Sequence, residues 1–164
     1  MVFGTAVRLL GNPSDAEDAA QTVFLRAFQR FDEIGSSPTV AGWLQTTTRN
    51  VCLNHLSRYR SRWRFFSELA GGDDAPDDFG AGIASGALPV LEALERADLR
   101  EALEQAVRAL PDHQRVPLVL FHFEGTGYQE IADTLGVSLG KVKTDIHRGR
   151  EALKRVLLND DAIR

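Results

Sequence analysis

The chain has 164 residues, of which 43% are hydrophobic and 26% charged, and its formal net charge is −4 at pH 7. Such a composition is ordinary for a soluble globular protein of one domain or two small ones. No apolar run approaches the about 20 residues that a membrane-spanning helix needs, and residues 1–10 lack the pattern of a signal peptide, so we expect a cytoplasmic protein without membrane insertion.

The first third of the chain carries the signals of two long helices. Ser14 and Glu17 have the spacing of a capping box, which predicts a helix start. The apolar face of this helix is predicted to consist of Ala20, Val23, Phe24, Ala27, Phe28 and Phe31. After a loop, a further helix is predicted from near Val40 through Leu56 into a basic segment.

That basic segment, residues 49–64, contains five arginines and no carboxylate. Tyr59, Trp63 and Phe65 are interleaved with the arginines. Because guanidinium groups neutralise phosphates and flat rings stack on unpaired bases, this pattern is typical of proteins that hold single-stranded or melting DNA. The alternative interpretation is that Trp43 and Trp63 are core residues and that the arginines form a solvated helix end.

The composition changes in residues 71–86, which hold five glycines, one proline and four aspartates without a helical pattern of apolar residues. This predicts a flexible acidic linker, assigned to residues 69–95, between helical domains at residues 1–68 and 96–160. Neither an internal repeat nor strand alternation is evident, so the predicted fold class is all-α.

Residues 126–153 have the pattern of a helix-turn-helix, in which the second helix enters the DNA major groove. Thr126 and Gln129 predict a capping box, and Gly136 predicts the end of the first helix. Ser138 is predicted to cap the second helix, whose core-facing side chains would be Leu139, Val142, Ile146 and Leu153. The side chains left pointing outward are Lys141, Lys143, Thr144, His147, Arg148 and Arg150. A solvated basic face on a plain packing unit is the alternative.

The sequence predicts neither a catalytic centre nor a metal site or cofactor. Cys52 and His55 have ligand-like spacing, but no second pair is nearby, and the apolar neighbours of Cys52 predict a small buried hydrophobe. An enzyme acting on DNA would need a nucleophile or clustered carboxylates for metal, and the acidic groups lie on the predicted linker without a suitable partner.

Taken together, residues 11–34, 41–62 and 110–157 resemble a bacterial RNA polymerase sigma factor of the extracytoplasmic-function group of the sigma-70 family. The order of all three segments around an acidic linker is more specific than any one of them. The resemblance implies a region 2 helical bundle and a region 4 helix-turn-helix. It also implies that core RNA polymerase and promoter DNA are partners, with an anti-sigma factor as a further candidate.

The resemblance assigns a role to each segment by position. The polymerase interface would include Asp18, Gln21 and Arg26. The minus-10 element would contact Ile34, Asn50, Arg58, Tyr59, Arg60, Arg62 and Trp63, with Asn50 at a pocket for a flipped base. At the minus-35 element, Lys143, Thr144 and Arg148 would face the bases, Ser138 and Lys141 would lie near phosphates, and His147 and Arg150 complete the basic face.

Three features depart from the family pattern. The family normally has about one more helix before the segment that begins at Val2, and Thr22 stands where a glutamate is usual. Asp145 stands where an arginine is common, so unless it pairs with Arg148 or Arg150 it would repel phosphate or prefer a cytosine amino group.

The negative net charge indicates that the free chain binds DNA poorly and that polymerase supplies the missing attraction. The alternative function is a helix-turn-helix regulator acting without polymerase.

Overall fold

The computed structural model describes residues 1–57 and 90–161, with side chains described over residues 1–57 and 99–156. Within these ranges the chain forms helices and no strand, which confirms the all-α prediction there. The helices are α1 (Val2–Leu10), α2 (Pro13–Gln29), α3 (Phe31–Ile34), α4 (Val40–Ser57), α5 (Val90–Ala109), α6 (Asp112–His122), α7 (Tyr128–Leu135) and α8 (Leu139–Asp161). Most of the predicted linker lies outside the described residues, and α5 begins within its assigned range.

Helices α1, α2 and α4 pack on one another and form the first unit of the chain, residues 1–57. The start of α2 differs from the prediction, because its cap is Asn12, whose side-chain oxygen accepts the backbone N–H of Ser14 at 2.9 Å. Pro13 then occupies the first helical position, where its missing N–H costs nothing. The capping box predicted from Ser14 and Glu17 is therefore wrong by two residues.

The apolar face of α2 also differs from the prediction. Its buried residues are Ala16, Ala19, Ala20 and Val23. These recur at intervals of three and four and place the small side chains against α1 and α4. Phe24, Phe28 and Phe31 are instead 56, 79 and 65% exposed, so assigning them to the core was wrong. The small residues form the buried side of α2, and the phenyl rings lie at the edge of that side or outside it.

Helices α5 to α8 form the second unit, in which α6 and α7 both pack on α8. Gly127, not Thr126, precedes α7, and no side chain caps that helix. Thr126 is only 5% exposed, and its backbone N–H donates to the carbonyl of Leu120 at 2.9 Å. Thr126 is therefore buried instead of capping α7, and the predicted capping box is absent. Gly136 ends α7 with a φ of 67°, as predicted.

The two units share one apolar core. A single cluster of buried side chains includes Leu9 and Cys52 of the first unit together with Val116, Val119 and Leu120 of the second. No helix in the described part of the chain is both long and apolar enough to cross a membrane.

Candidate nucleic-acid interface

The N-terminal part of α8 is the predicted recognition helix. The Ser138 hydroxyl accepts the N–H of Lys141 at 3.2 Å, which confirms Ser138 as a cap. Val142 and Ile146 are 0 and 1% exposed, and a Cβ on Gly149 would lie 2.8 Å from a methyl of Leu118, so α8 approaches α6 closely at this glycine.

Leu139 is exposed, contrary to the prediction. The buried side of this part of α8 contains Val142, Asp145, Ile146 and Gly149. Leu139 lies at the edge of this side, opposite the edge at which Asp145 lies. The prediction considered only apolar residues and therefore misplaced the buried side, because an aspartate and a glycine are two of its four residues.

Four of the residues that were predicted to point outward lie on the outer face of α8. His147 and Arg148 are exposed, while Lys143 and Thr144 are half-buried. Arg148 follows Thr144 by one helical turn, so the two share a face that can meet the edges of neighbouring base pairs. The exposed guanidinium of Arg148 can bond both acceptor atoms of a guanine.

Asp145 does not belong to that outer face. It is 4% exposed, and its carboxylate accepts two contacts from the Lys141 ammonium, at 2.9 and 3.2 Å. Burial raises the pKa of this carboxyl, while the bond to Lys141 acts in the opposite direction. The expectation of a DNA-facing aspartate is therefore wrong, and its partner is Lys141 rather than Arg148 or Arg150.

Arg150 is also held within the second unit. Its Nε donates to Nε2 of His122 at 3.0 Å, and its guanidinium lies 5.7 Å from the ring centre of Phe121. Phe121 in turn stacks on Tyr128 at 4.4 Å between ring centres. These contacts place Arg150 beside the end of α6 and the start of α7.

In the first unit, the structure describes two of the residues predicted for the minus-10 element. Asn50 is exposed on α4, and Ile34 is half-buried at the end of α3. The other five predicted residues lie outside the described residues: Arg58, Tyr59, Arg60, Arg62 and Trp63.

The predicted polymerase residues Asp18, Gln21 and Arg26 are all exposed on α2. The structure places an exposed apolar stripe beside them, of which Phe24 and Phe28 were predicted to face the core. Phe24, Leu25 and Phe28 are 56, 58 and 79% exposed. Phe24 and Leu25 precede Phe28 by four and three residues, so a second apolar periodicity was present in the sequence. Thr22 is exposed nearby, with its hydroxyl donating to the carbonyl of Asp18 at 2.9 Å.

Cys52 is fully buried, as predicted. Burial, with a smaller contribution from the charge of Glu124, raises the pKa of its thiol to about 12. The thiolate that metal binding requires is thereby disfavoured. Among the described residues, no group of three histidine, cysteine, aspartate or glutamate side chains is placed to hold a metal ion.

Two family models match the chain, one over most of each unit. The family model for Sigma-70 region 2 matches residues 1–63, and that for Sigma-70, region 4 matches residues 100–153.

Curated relatives match across both units. The chain is 31% identical over 156 residues to the ECF RNA polymerase sigma factor SigW of Bacillus subtilis, covering 95% of this chain and 82% of the relative. It is 36% identical over 156 residues to the ECF RNA polymerase sigma factor SigE of Mycolicibacterium smegmatis, covering 95% of this chain and 57% of that protein.

Among solved structures, the sigma factor RpoE of Bartonella quintana, in complex with the anti-sigma factor NepR, matches with a TM-score of 0.50 and 22% identity. The match covers 95% of this chain and 89% of that one. At this identity the similarity concerns the fold.

Proposed function

Because this chain belongs to the extracytoplasmic-function group of RNA polymerase sigma factors, whose function is transcription initiation, we propose a division of labour between its two units. The domain of residues 1–68 docks on core RNA polymerase and opens the minus-10 element. The domain of residues 96–160 reads the minus-35 element as duplex, and residues 69–95 connect them. The observation that carries this proposal is an exposed recognition face on α8 in the same chain as an exposed apolar stripe on α2.

The second unit supplies sequence recognition through α8. Arg148 is exposed, and an arginine that bonds both acceptors of a guanine discriminates against a wrong base by about 1–3 kcal/mol. Lys143, Thr144 and His147 flank it and complete the contacts to bases and phosphates. Arg150 contributes mainly through its contacts with His122 and Phe121, and Lys141 is partly neutralised by Asp145.

The first unit supplies strand opening through α4 and the part of the basic segment that follows it in the chain. Extruding one base from a duplex costs a few kcal/mol, and an amide such as that of Asn50 can recover part of this cost by bonding the flipped base. Arg58, Arg60 and Arg62 would neutralise phosphates, and Tyr59 and Trp63 would stack on unpaired bases. Binding energy thus separates the strands without nucleotide hydrolysis, so the chain is a binding factor and not an enzyme.

Docking on polymerase is assigned to α2. Phe24, Leu25 and Phe28 provide an exposed apolar centre, and Asp18 and Gln21 provide polar groups at its edge. This arrangement matches the general anatomy of a protein interface, in which a few buried aromatic side chains contribute most of the affinity. Because the net charge is −4, attachment to polymerase would also bring the two DNA-binding surfaces to a promoter that the free chain binds weakly.

Two further assignments follow from this function. The protein acts in the cytoplasm, where bacterial polymerase meets promoter DNA. An anti-sigma protein is a further partner class, since the sigma factor RpoE with the same fold was solved in complex with one.

In vitro transcription with purified core enzyme on a promoter library tests the proposal. We expect specific initiation and stable association with core enzyme. Phe28→Ala should weaken that association about tenfold or more, whereas Leu99→Ala, which removes another exposed large apolar side chain from α5, should not. Absence of both initiation and core association would overturn the proposal, and specific binding to duplex DNA without polymerase would then favour the regulator alternative.

A further inference from the structure

We propose that Arg150 positions the helix-turn-helix instead of contacting DNA, and that it does so only while the imidazole of His122 is uncharged. We call the group of Arg150, His122, Phe121 and Tyr128 the aromatic clamp. The clamp itself follows from contacts within the second unit. Its effect on the minus-35 element, whose binding would weaken on acidification, rests on the proposed function.

The aromatic clamp joins three helices. Arg150 lies on α8, Phe121 and His122 are the last two residues of α6, and Tyr128 is the first residue of α7. The Phe121 ring stacks on Tyr128 at 4.4 Å between centres and meets the His122 ring edge-on at 4.9 Å. The Arg150 guanidinium lies 5.7 Å from the centre of the same phenyl ring. Phe121 therefore links the start of α7 to α8.

The start of α7 has weak local signals of its own. No side chain caps this helix, and the loop before it contains Gly125, with a φ of 68°, and Gly127. Because glycine permits many backbone conformations, side-chain contacts must fix the direction of the helix. Ile131, which is fully buried, holds the inner side of α7 in the core, and the aromatic clamp holds its first residue. In helix-turn-helix proteins the first helix crosses the DNA backbone, so the direction of α7 affects how the unit meets the duplex.

The position of Arg150 on α8 agrees with a role away from the bases. Successive residues of a helix are about 100° apart, so Arg150 and the exposed Arg148 start on nearly opposite sides of α8. Arg150 is half-buried, and its Nε hydrogen is already donated to His122. A positioning role uses these contacts as they stand, whereas a DNA contact would have to break them.

The contact with His122 requires a neutral imidazole. Arg150 Nε donates to Nε2 of His122 at 3.0 Å, so that nitrogen must carry a lone pair and no proton. Protonation would remove the acceptor and place a second cation against the guanidinium. Among the described residues, Arg150 is the charged group that acts on this imidazole, and Tyr128 is the titratable group of α7 in the clamp.

The direction of the pH effect follows from the folded state. Burial, and to a smaller extent the charge of Arg150, lowers the pKa of His122 below its ordinary value of about 6.5. The folded chain therefore favours the neutral ring. The contribution of the clamp is complete above the ordinary pKa and is lost as the pH falls below it.

Hydrogen exchange of the free full-length chain, followed for single amides by NMR, tests the clamp without DNA. The Ile131 N–H bonds to the carbonyl of Gly127 at 2.9 Å and closes the first turn of α7. Arg150→Ala should lower the protection factor of this amide about tenfold, because a hydrogen bond and a cation–π contact are both lost. The Val142 amide, which closes the first turn of α8, should keep its protection. Arg155→Ala removes an exposed arginine of α8 and is the matched control; equal Ile131 protection in the two variants would overturn the clamp.

His122→Gln tests the requirement for a neutral ring, because a glutamine amide oxygen can accept from Arg150 and does not titrate. Between about pH 7.5 and about pH 5.5, we expect Ile131 protection to fall about threefold in the wild type and less than about twofold in His122→Gln. His55→Gln, which removes a half-buried histidine from the first unit, should behave as the wild type. Equal losses in the wild type and His122→Gln would overturn the dependence on His122.

Binding of holoenzyme to duplex DNA that carries the minus-35 element tests the effect on recognition. Arg150→Ala should weaken binding about tenfold without changing the slope of log K against log salt, whereas loss of a phosphate contact would make the slope less negative by about 0.9. Acidification over the same range should weaken binding by the wild type about threefold more than binding by His122→Gln. The effects of the other histidines cancel, because both proteins contain them.

A less negative slope for Arg150→Ala would overturn the positioning role and assign Arg150 to a phosphate. Coincident pH profiles of DNA binding would overturn the effect on the minus-35 element, even where the exchange data establish the clamp. Failure of the proposed function is a separate result, recognised as the absence of specific initiation by wild-type holoenzyme.

Discussion

The ammonium of Lys141 lies 2.9 Å from a carboxylate oxygen of Asp145, one turn further along the recognition helix. The lysine side chain is 17% exposed and the aspartate 6%. Asp145 therefore partly neutralises the charge of Lys141 near the N-terminal end of α8, where the family resemblance predicts a phosphate contact. It also explains how a carboxylate is accommodated on a helix that is proposed to bind DNA.

We expect Asp145→Asn to strengthen upstream DNA binding by releasing the charge of Lys141. If Lys141 gains one phosphate contact, the slope of log K against log salt for holoenzyme on duplex minus-35 DNA should become more negative by about 0.9. Asp133→Asn is the control, because it removes the same charge from an exposed position on α7. Identical slopes for the two variants would show that the ion pair does not limit the phosphate contact.

Arg148→Ala should remove discrimination at the upstream element. Loss of a bidentate contact to guanine predicts a loss of about 1–3 kcal/mol of preference for the correct base pair. Competition of holoenzyme between promoters with intact and altered minus-35 elements measures this preference. Arg155→Ala removes a second exposed arginine of α8, two turns further along, and should leave the preference unchanged. If the Arg148→Ala variant kept the preference for the correct base pair, base recognition would have to be assigned to Lys143 or Thr144.

The turn between α7 and α8 could be predicted from the sequence because local signals determine it. Gly136 and Ser138 mark the turn of the helix-turn-helix, and both behave as expected. The exposed apolar stripe of α2 could not be predicted in the same way, because α2 has two apolar periodicities and only packing decides that Val23 faces inward and Phe28 outward.

Pairings between distant parts of the chain were not predictable from local patterns. Arg115 and Leu10 are 105 residues apart, and nothing near either one indicates that a guanidinium will bond the end of α1. Asp145 presented a similar difficulty. Its polar character predicted an outward position, but its burial depends on Lys141 one turn away and on the close packing of α8 against α6.

Asn50→Ala should impair promoter opening more than initial binding. The amide is proposed to bond an extruded base, an interaction that exists only after the strands separate. We expect the rate of open-complex formation, followed by permanganate reactivity of unpaired thymines, to fall about tenfold, while closed-complex affinity changes by less than about twofold. Asn54→Ala changes the same residue type one turn along α4 at an exposed position and should behave as wild type. An equal loss in both steps would place Asn50 in general DNA binding.

Gly11→Ala should weaken both the fold and the contact between the units. Gly11 has a φ of 71°, which disfavours any residue with a Cβ, and the added methyl would displace the guanidinium of Arg115 from the end of α1. We expect the free energy of unfolding to fall by about 1–3 kcal/mol, measured as a lower urea midpoint. Gly4→Ala is the matched control, because Gly4 lies within α1 with open space around it, and alanine there should be neutral or stabilise by up to about 1 kcal/mol. Equal midpoints for the two variants would show that neither the backbone at Gly11 nor the Arg115 contact contributes to stability.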